Sequence, residues 1–246
     1  MGTDRSPVDY RYISRRLVSQ IVQQDQATRS RWKLTATIST PVVSLGIHKD
    51  PIDFSNELAL CGEATEAIRD NTGTIAQPGD YIKAELDLTM GFVTVFMGWV
   101  DITHVPIAAM KAQVDDPESG KVLVALFGSA SNYTAMKPTE DGSGGYPSDV
   151  DGLYSILDRT QEPGDPEILS ERLDRDVGHD RSSRVDTAIR VLEGFKGLGE
   201  GRFEVLMRYF CGEEVGKPYG RVILGAPVWV RTPEPGPMGA PTDRPA

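Results

Sequence analysis

The fold is decided by the stretch YIKAELDLTMGFVTVFMGWV at residues 81–100. Its first part, Tyr81–Leu88, alternates apolar and polar residues, which is the pattern of a strand with one buried face. The next part, Phe92–Val100, is almost continuously apolar, as expected of a strand buried on both faces. Turn residues at 117–120 separate it from a second buried strand at Val122–Phe127. The middle of the chain therefore predicts the core of a β-sheet.

Further elements are predicted on both sides of this core. The alternating segment Val8–Ile13 predicts a short strand, and Ser14 is a suitable N-cap for a helix that ends near Arg29. A second helix is expected to begin at Asp53 and to bury Phe54, Leu58, Cys61, Ala64 and Ile68. The remaining predicted strands are at 32–39, 42–47 and 221–230. Three further helices are predicted: one begins at Asp165, one begins at Ser182 or Ser183, and one covers Phe203–Phe210.

The order of these elements predicts an α+β fold. A late strand has to rejoin a sheet that is formed earlier in the chain, with helices between them. We expect a mixed, largely antiparallel sheet covered by helices, with a helical block at about 150–212 before the closing C-terminal strand. Residues 8–231 are predicted to form a single domain. The tail at 232–246 contains five prolines and little apolar bulk, so it is predicted to be disordered.

Composition excludes several classes of protein. The net charge of −10 disfavours nucleic-acid binding, because an acidic surface repels phosphates. The two cysteines, Cys61 and Cys211, and the three histidines lack metal-site spacing, so neither a metal nor a cofactor is predicted. Residues 1–7 do not resemble a secretory signal, and no apolar run is long enough to span a bilayer. We therefore expect a cytoplasmic protein with no membrane partner.

The most suggestive segment for chemistry is the small-residue turn GSASNY at 128–133, directly after a predicted buried strand. Such a turn can leave backbone amides and hydroxyls free to contact a ligand, or it can simply allow a helix to approach closely. The segment lacks the G-x-S-x-G spacing of a hydrolase nucleophile elbow, and no catalytic residue is assigned. The candidate ligand-binding residues are Gly128, Ser129, Ser131, Asn132, Tyr133 and His104.

A second candidate surface is basic. Residues 1–49 contain eight Lys and Arg against three Asp, a local charge of +5 within an acidic chain. This region either complements the acidic remainder of the same molecule or faces an acidic partner. Arg15 and Arg16, adjacent in the predicted first helix, are the candidate partner-binding residues.

Five segments, taken in order, are similar to one known family: Tyr10–Ser14, Pro78–Tyr81, Val124–Ala130, Phe203–Phe210 and Val222–Val230. Together they resemble an uncharacterised, mainly actinobacterial family that is classed as a domain of unknown function. The resemblance implies an accessory or sensor role, since such families are often met beside NTPase or defence genes, and it assigns no catalytic residue.

The function expected from these observations is that of a non-catalytic binding or interaction protein with a protein partner. It would be an accessory or sensor component of a multi-component bacterial system associated with defence or with an NTPase. The alternatives are a small-molecule hydrolase or transferase, or a nucleotide-binding regulator. Either alternative would use the 128–133 turn, and so a small-molecule ligand stays among the possible partners.

Overall fold

The computed structural model describes residues 9–35, 56–97, 103–118, 120–134, 181–193, 195 and 197–233. These residues contain seven strands of one sheet and three α-helices. The strands are β1 (Tyr10–Ile13), β2 (Thr72–Gly73), β3 (Tyr81–Met97), β4 (Thr103–Asp116), β5 (Gly120–Ser129), β6 (Gly199–Glu214) and β7 (Arg221–Arg231). The helices are α1 (Arg15–Thr35), α2 (Glu57–Ala67) and α3 (Arg181–Glu193).

Five of the strands close into a barrel in the order β3-β4-β5-β7-β6, with β6 pairing back to β3. All of these pairings are antiparallel except that between β5 and β7. Three consecutive antiparallel strands, a connection containing a helix, and two closing strands make a five-stranded Greek-key barrel, an arrangement also found in OB folds. The short strands β1 and β2 extend the sheet beside β7 and β3. The sheet is therefore mixed and largely antiparallel.

The barrel interior is filled by side chains from all five strands. Alternate residues point inward, as the period of two in a strand requires. Aromatic rings from outside the barrel strands, those of Tyr12 and Tyr133, complete this core. The inward residues include Ile82, Leu86, Leu88, Met90, Met110, Val124, Leu126, Phe203, Val205, Met207 and Ile223.

Two outer faces of the barrel are also buried. Helix α3 packs Val185, Ala188 and Leu192 on the outer face of β4 and β5. The Lys111 ammonium on β4 donates to the Leu192 carbonyl at 3.0 Å. The cation thus provides a hydrogen-bond donor for a carbonyl at the C-terminal end of α3, where the helix dipole is negative. Helices α1 and α2 cover the outer face of β6, β7 and β1, where the Trp229 side chain is fully buried. The outer face of β3 and β6 carries charged residues instead.

The predicted helical block at 150–212 is wrong over its last part. Residues 199–212 belong to strand β6, including the Phe203–Phe210 segment predicted to be a helix. Phe203 and Met207 face the barrel interior, while Leu206 faces the helices outside. A strand buried on both faces carries apolar residues at spacings that also fit a helix. Helix α3 lies within the predicted block, whereas 150–180 is outside the described residues.

Two further predictions near the N-terminus are wrong. Helix α1 continues to Thr35, so the strand predicted at 32–39 does not form over its first four residues. Leu58 was expected in the buried stripe of α2, but its exposed fraction is 57%. Each residue advances a helix by about 100°, so Leu58 and Ala64 lie on opposite flanks of Cys61. The helix buries the Ala64 flank.

The predicted domain boundaries stay a prediction. Strand β1 at the start of the predicted domain pairs with the last residues of β7, with Tyr10 opposite Arg231. The segments at 36–55 and 135–180, which include the strand predicted at 42–47, lie outside the described residues, as does the tail from residue 234.

Candidate functional site

The predicted ligand turn lies at the end of β5, where it closes one end of the barrel. Gly128 occupies an inward position of β5, directly opposite Ala108 of β4. In place of a side chain at 128, the ring of Tyr12 enters from β1. A Cβ atom on Gly128 would lie 2.2 Å from the Tyr12 hydroxyl oxygen and 3.5 Å from Cδ of Pro227. The glycine is therefore required by the close approach of an aromatic ring, not of a helix.

The polar side chains of the turn bond mainly to groups of the protein itself. The Ser129 and Ser131 hydroxyls are hydrogen-bonded to each other at 2.8 Å. The Asn132 side-chain amide donates to the Tyr12 hydroxyl at 3.0 Å. Ser131 is exposed, whereas Ser129 is buried. The turn therefore presents few free donors or acceptors to a ligand.

Tyr133 fixes the turn to the barrel. Its hydroxyl donates to the Gly91 carbonyl at 3.0 Å and approaches the Ala109 carbonyl at 3.4 Å. Its ring makes edge-to-face contacts with Tyr12 and Phe92, with centroids 5.5 Å and 5.1 Å away. Such contacts stabilise aromatic pairs beyond the area they bury. We call Gly128–Tyr133 with the ring of Tyr12 the tyrosine plug.

The plug tyrosines are neutral in the physiological pH range. Burial raises the pKa of Tyr12 to about 12, although hydrogen bonds from Asn132 and Ser129 partly oppose the shift. Burial also raises the pKa of Tyr133, and its proximity to Tyr12 acts in the same direction. A phenol with a raised pKa is a poor proton donor or acceptor at neutral pH. The two hydroxyls are suited to structural hydrogen bonds.

His104, the remaining ligand candidate, lies on β4 opposite Phe96 of β3. Ile107, three residues further along β4, is the residue paired with Ser129. An interval of three residues corresponds to about 10 Å along a strand and places the two positions on opposite faces. The side chain of His104 is outside the described part of the structure. The register does not bring His104 and Ser129 together, and the site assignment stays a prediction.

The candidate basic residues lie in the first turn of α1. The Arg15 Nε atom donates to a carboxylate oxygen of Glu57 at the start of α2. This ion pair joins the two helices that cover the outer face of β6 and β7. Arg15 and Arg16 are both exposed, and each also makes an interaction with another residue. Arg15 therefore has a structural contact in addition to its predicted role toward a partner.

The structure reveals a charged cluster that sequence reasoning missed. Glu204 of β6 accepts a hydrogen bond from Arg231 Nε at 2.6 Å and lies 2.7 Å from the Lys83 ammonium. The Arg231 guanidinium is 4.9 Å from the ring centroid of Trp229, and the Trp229 indole donates to Thr65 of α2 at 3.1 Å. We call Glu204, Arg231, Lys83 and Trp229 the Glu204 cluster. Lys83, Glu204 and Arg231 are far apart in sequence, so only strand register could have predicted their contact.

Electrostatics identify the Glu204 cluster as a structural ion pair. Burial alone would raise the pKa of Glu204, but hydrogen bonds and charges of Arg231 and Lys83 outweigh it and hold that pKa below its ordinary value. Burial would lower the pKa of Arg231, yet Glu204 keeps it raised. Both groups are thus charged at neutral pH. The cluster links β3, β6, β7 and α2.

The described residues offer little other reactive chemistry. Cys61 is fully buried, and burial raises the pKa of its thiol to about 12, whereas a nucleophilic cysteine needs a lowered pKa. A shallow polar groove at the end of α2 is lined by Asp70–Gly73 and Gln77–Asp80. Within the described ranges, no group of three His, Cys, Asp or Glu side chains could hold a metal ion.

Comparison with known proteins identifies a family for this chain. A model of a family of unknown function, DUF7019, matches residues 9–234. The chain belongs to this family. The match confirms the resemblance to an uncharacterised family and covers every strand of the barrel. DUF7019 carries no assigned activity, so the match transfers no site residue. No curated protein and no solved structure matches the chain. None of the described helices has the length and apolar character needed to cross a membrane.

Proposed function

We propose that this member of DUF7019 is a non-catalytic binding or interaction protein of the cytoplasm. It would act as an accessory or sensor component of a multi-component bacterial system associated with defence or with an NTPase. One observation carries the proposal: the turn with the best sequence signal for chemistry is the tyrosine plug, whose polar groups are bonded to the protein itself.

The plug lacks the arrangement that nucleophilic catalysis requires. A serine nucleophile needs a base within hydrogen-bonding distance and a third group to orient that base. The neighbour of the Ser129 hydroxyl is another hydroxyl, that of Ser131, at 2.8 Å. A hydroxyl cannot serve as a general base at neutral pH. Catalysis at this turn would first require the Tyr12 and Tyr133 hydrogen bonds to break.

A protein partner is favoured over a nucleic acid. OB-type barrels bind oligonucleotides across the face of their second and third strands, which correspond here to β4 and β5. That face is occupied by Val185, Ala188 and Leu192 of α3. The chain also has a net charge of −10, which opposes the approach of phosphates.

Native mass spectrometry of the purified full-length chain, alone and after co-purification from its source cells, tests the proposal. We expect the mass of the chain without a small molecule, together with a stoichiometric protein complex. A small molecule that is retained stoichiometrically and lost in Ser129→Ala and Asn132→Ala variants would contradict it. That result would support the enzyme or nucleotide-binding alternative.

The basic helix surface can be tested with a matched pair of variants. Reversing Arg15 alone would place a second carboxylate beside Glu57 and could weaken the α1–α2 contact. The double variant Arg15→Glu/Glu57→Arg retains an ion pair but reverses the charge at position 15. If α1 binds an acidic partner, this double variant and Arg16→Glu both weaken the complex with unchanged thermal stability. Unchanged affinity in both would remove this surface from the proposal.

A further inference from the structure

Strand β3 continues beyond the barrel, and within the described ranges no strand lies beside one of its edges there. Its N-terminal part pairs with β6 as far as Met90, which lies opposite Gly199. Its C-terminal part, Thr89–Met97, pairs with β4. Among the residues that the structure describes, no strand pairs with the β6 side of β3 after Met90.

The orientation of the open backbone groups follows from one hydrogen bond. The Leu198 amide donates to the Met90 carbonyl at 2.8 Å, so this carbonyl points to the β6 side. Backbone groups alternate in direction along a strand. The N–H and C=O groups of Phe92, Thr94 and Phe96 therefore point to the same side, past the start of β6. We call Phe92–Phe96 the open β3 edge.

The two strands of this hairpin differ in the residues that usually protect a sheet edge. Pro106 lies opposite Thr94 in the ladder. A proline has no backbone N–H, and in a strand it normally lies where that N–H would point to the outer edge. Pro106 therefore offers no donor to a strand that would pair with the free side of β4. Residues 90–97, MGFVTVFM, contain no proline and no charge. Natural edge strands are usually protected by such residues because a bare edge can pair with another strand.

We propose that the open β3 edge is a dimerisation site at which a second copy of this chain adds its own open edge antiparallel about a twofold axis. Such pairing is isologous, so every contact occurs twice. Maximal overlap of residues 91–97 places Thr94 opposite Thr94 of the second copy. In this register Phe92 lies opposite Phe96, and Val93 opposite Val95.

Charge favours a second copy as the occupant. Like charges directly opposite one another destabilise a strand pair, and two copies of an acidic chain repel each other over most of their surface. The open edge is uncharged, so identical strands can meet there without opposing like charges. Aromatic and β-branched residue pairs, which this register creates, are favourable across strands. The dimer does not depend on the proposed function, since an enzyme or a binding protein could form it.

Sedimentation velocity of the full-length chain across the micromolar range tests the site. We expect a reversible monomer–dimer equilibrium in the wild type. Thr94→Pro removes an N–H from the open edge but leaves the ladder to β4 intact, and we expect it to weaken dimerisation at least tenfold. Thr94→Lys and Thr94→Glu should each do the same, because each opposes two like charges at the twofold axis. Circular dichroism verifies that the variants are folded.

An equimolar mixture of Thr94→Lys and Thr94→Glu supplies the decisive comparison. Opposite charges then meet at the axis, so we expect the dimer to return as a heterodimer. Thr28→Lys, on an exposed position of α1, is the matched control and should dimerise like the wild type. A wild type that remains monomeric, variants that dimerise normally, or a mixture that stays monomeric would overturn the proposal.

Discussion

The tyrosine plug and the open β3 edge lie at the same end of the barrel, but they differ in how their polar groups are hydrogen-bonded. In the plug, hydroxyls and amides are bonded to the protein itself, as in the 3.0 Å bonds made by Asn132 and Tyr133. At the open edge, the backbone groups of Phe92, Thr94 and Phe96 have no strand beside them within the described residues. Binding is more favourable where polar groups still lack partners. The 128–133 turn, which carries the sequence signal for a ligand, thus bonds mainly to the protein itself, whereas the proposed contact surface lies on a strand that the sequence marks only as apolar.

The largest loss of stability is expected from a substitution that displaces the Tyr12 ring from the tyrosine plug. Gly128→Ala introduces a Cβ atom 2.2 Å from the Tyr12 hydroxyl oxygen, and Tyr12 is fully buried. Relief of this overlap requires movement of a packed ring, so we expect the free energy of unfolding to fall by about 3 kcal/mol. Urea denaturation followed by fluorescence measures the change.

Gly62→Ala is the matched control for that experiment. Its Cβ would meet no atom within 4 Å, and Gly62 lies inside α2. Alanine is the better helix former, so we expect a gain of roughly 0.5–1 kcal/mol. A Gly128→Ala variant as stable as the wild type would mean that the Tyr12 ring does not occupy the plug.

The Glu204 cluster should produce the next largest effect. Glu204→Gln removes a half-buried carboxylate that binds Arg231 at 2.6 Å, and we expect a loss of about 2 kcal/mol at neutral pH. The folded-state pKa lies below the ordinary value of 4.5. The stabilisation is therefore complete above pH 4.5 and disappears as the pH falls through the folded-state pKa. The gap between wild type and variant should close in that acidic range.

Glu85→Gln is the matched control, because it removes the carboxylate of an exposed ion pair. Glu85 pairs with Arg202 at 3.2 Å, but both side chains are more than half exposed. Exposed ion pairs contribute roughly 0–1 kcal/mol, so this variant should be close to the wild type at every pH. Equal effects of the two substitutions would contradict the structural role of the Glu204 cluster.

A smaller effect is expected from the hydroxyl that anchors the plug. Tyr133→Phe keeps the ring and its contacts with Phe92 but removes the donor to the Gly91 carbonyl. We expect a loss of about 1 kcal/mol in thermal or chemical denaturation. Tyr219→Phe is the matched control, because it removes a hydroxyl that is contacted, among the described residues, only by the exposed Gln113 side chain at 3.5 Å, and it should change the stability by less than about 0.5 kcal/mol. Equal effects of the two substitutions would contradict the anchoring role of the Tyr133 hydroxyl.

Local patterns predicted much of the fold. The alternation at Tyr81–Leu88 and the apolar run at Val122–Phe127 lie within β3 and β5. Ser14 directly precedes α1, and its hydroxyl accepts from the Leu17 amide at 3.5 Å, as predicted for an N-cap. The failures have a common physical cause. Strand β6 carries apolar residues on both of its faces. Phe203 and Met207 face the barrel interior and Leu206 faces the helices, so the three residues follow a helical spacing within a strand. Closure of the sheet into a barrel depends on pairings between distant residues, which no local pattern contains.

The close approach at the 128–133 turn was predictable from the sequence, but the group that approaches was not. The small residues after β5 correctly marked a place of close approach. The residue that approaches is Tyr12, which lies more than a hundred positions earlier in the chain and enters through the pairing of β1 with β7. Without that pairing, Ser129 and Asn132 have the appearance of free ligand contacts. The Glu204 cluster was missed for the same reason, because Lys83, Glu204 and Arg231 meet only through strand register.

Hydrogen–deuterium exchange of the full-length chain, at residue resolution and at two protein concentrations, tests the central contrast most directly. We predict slow exchange of the Tyr133 amide, which donates to the Ala130 carbonyl at 3.3 Å within the plug, at both concentrations. The amides of Phe92, Thr94 and Phe96 should exchange rapidly in dilute solution and become protected as the concentration rises. A rapidly exchanging Tyr133 amide, or edge amides that are equally protected at both concentrations, would contradict the account.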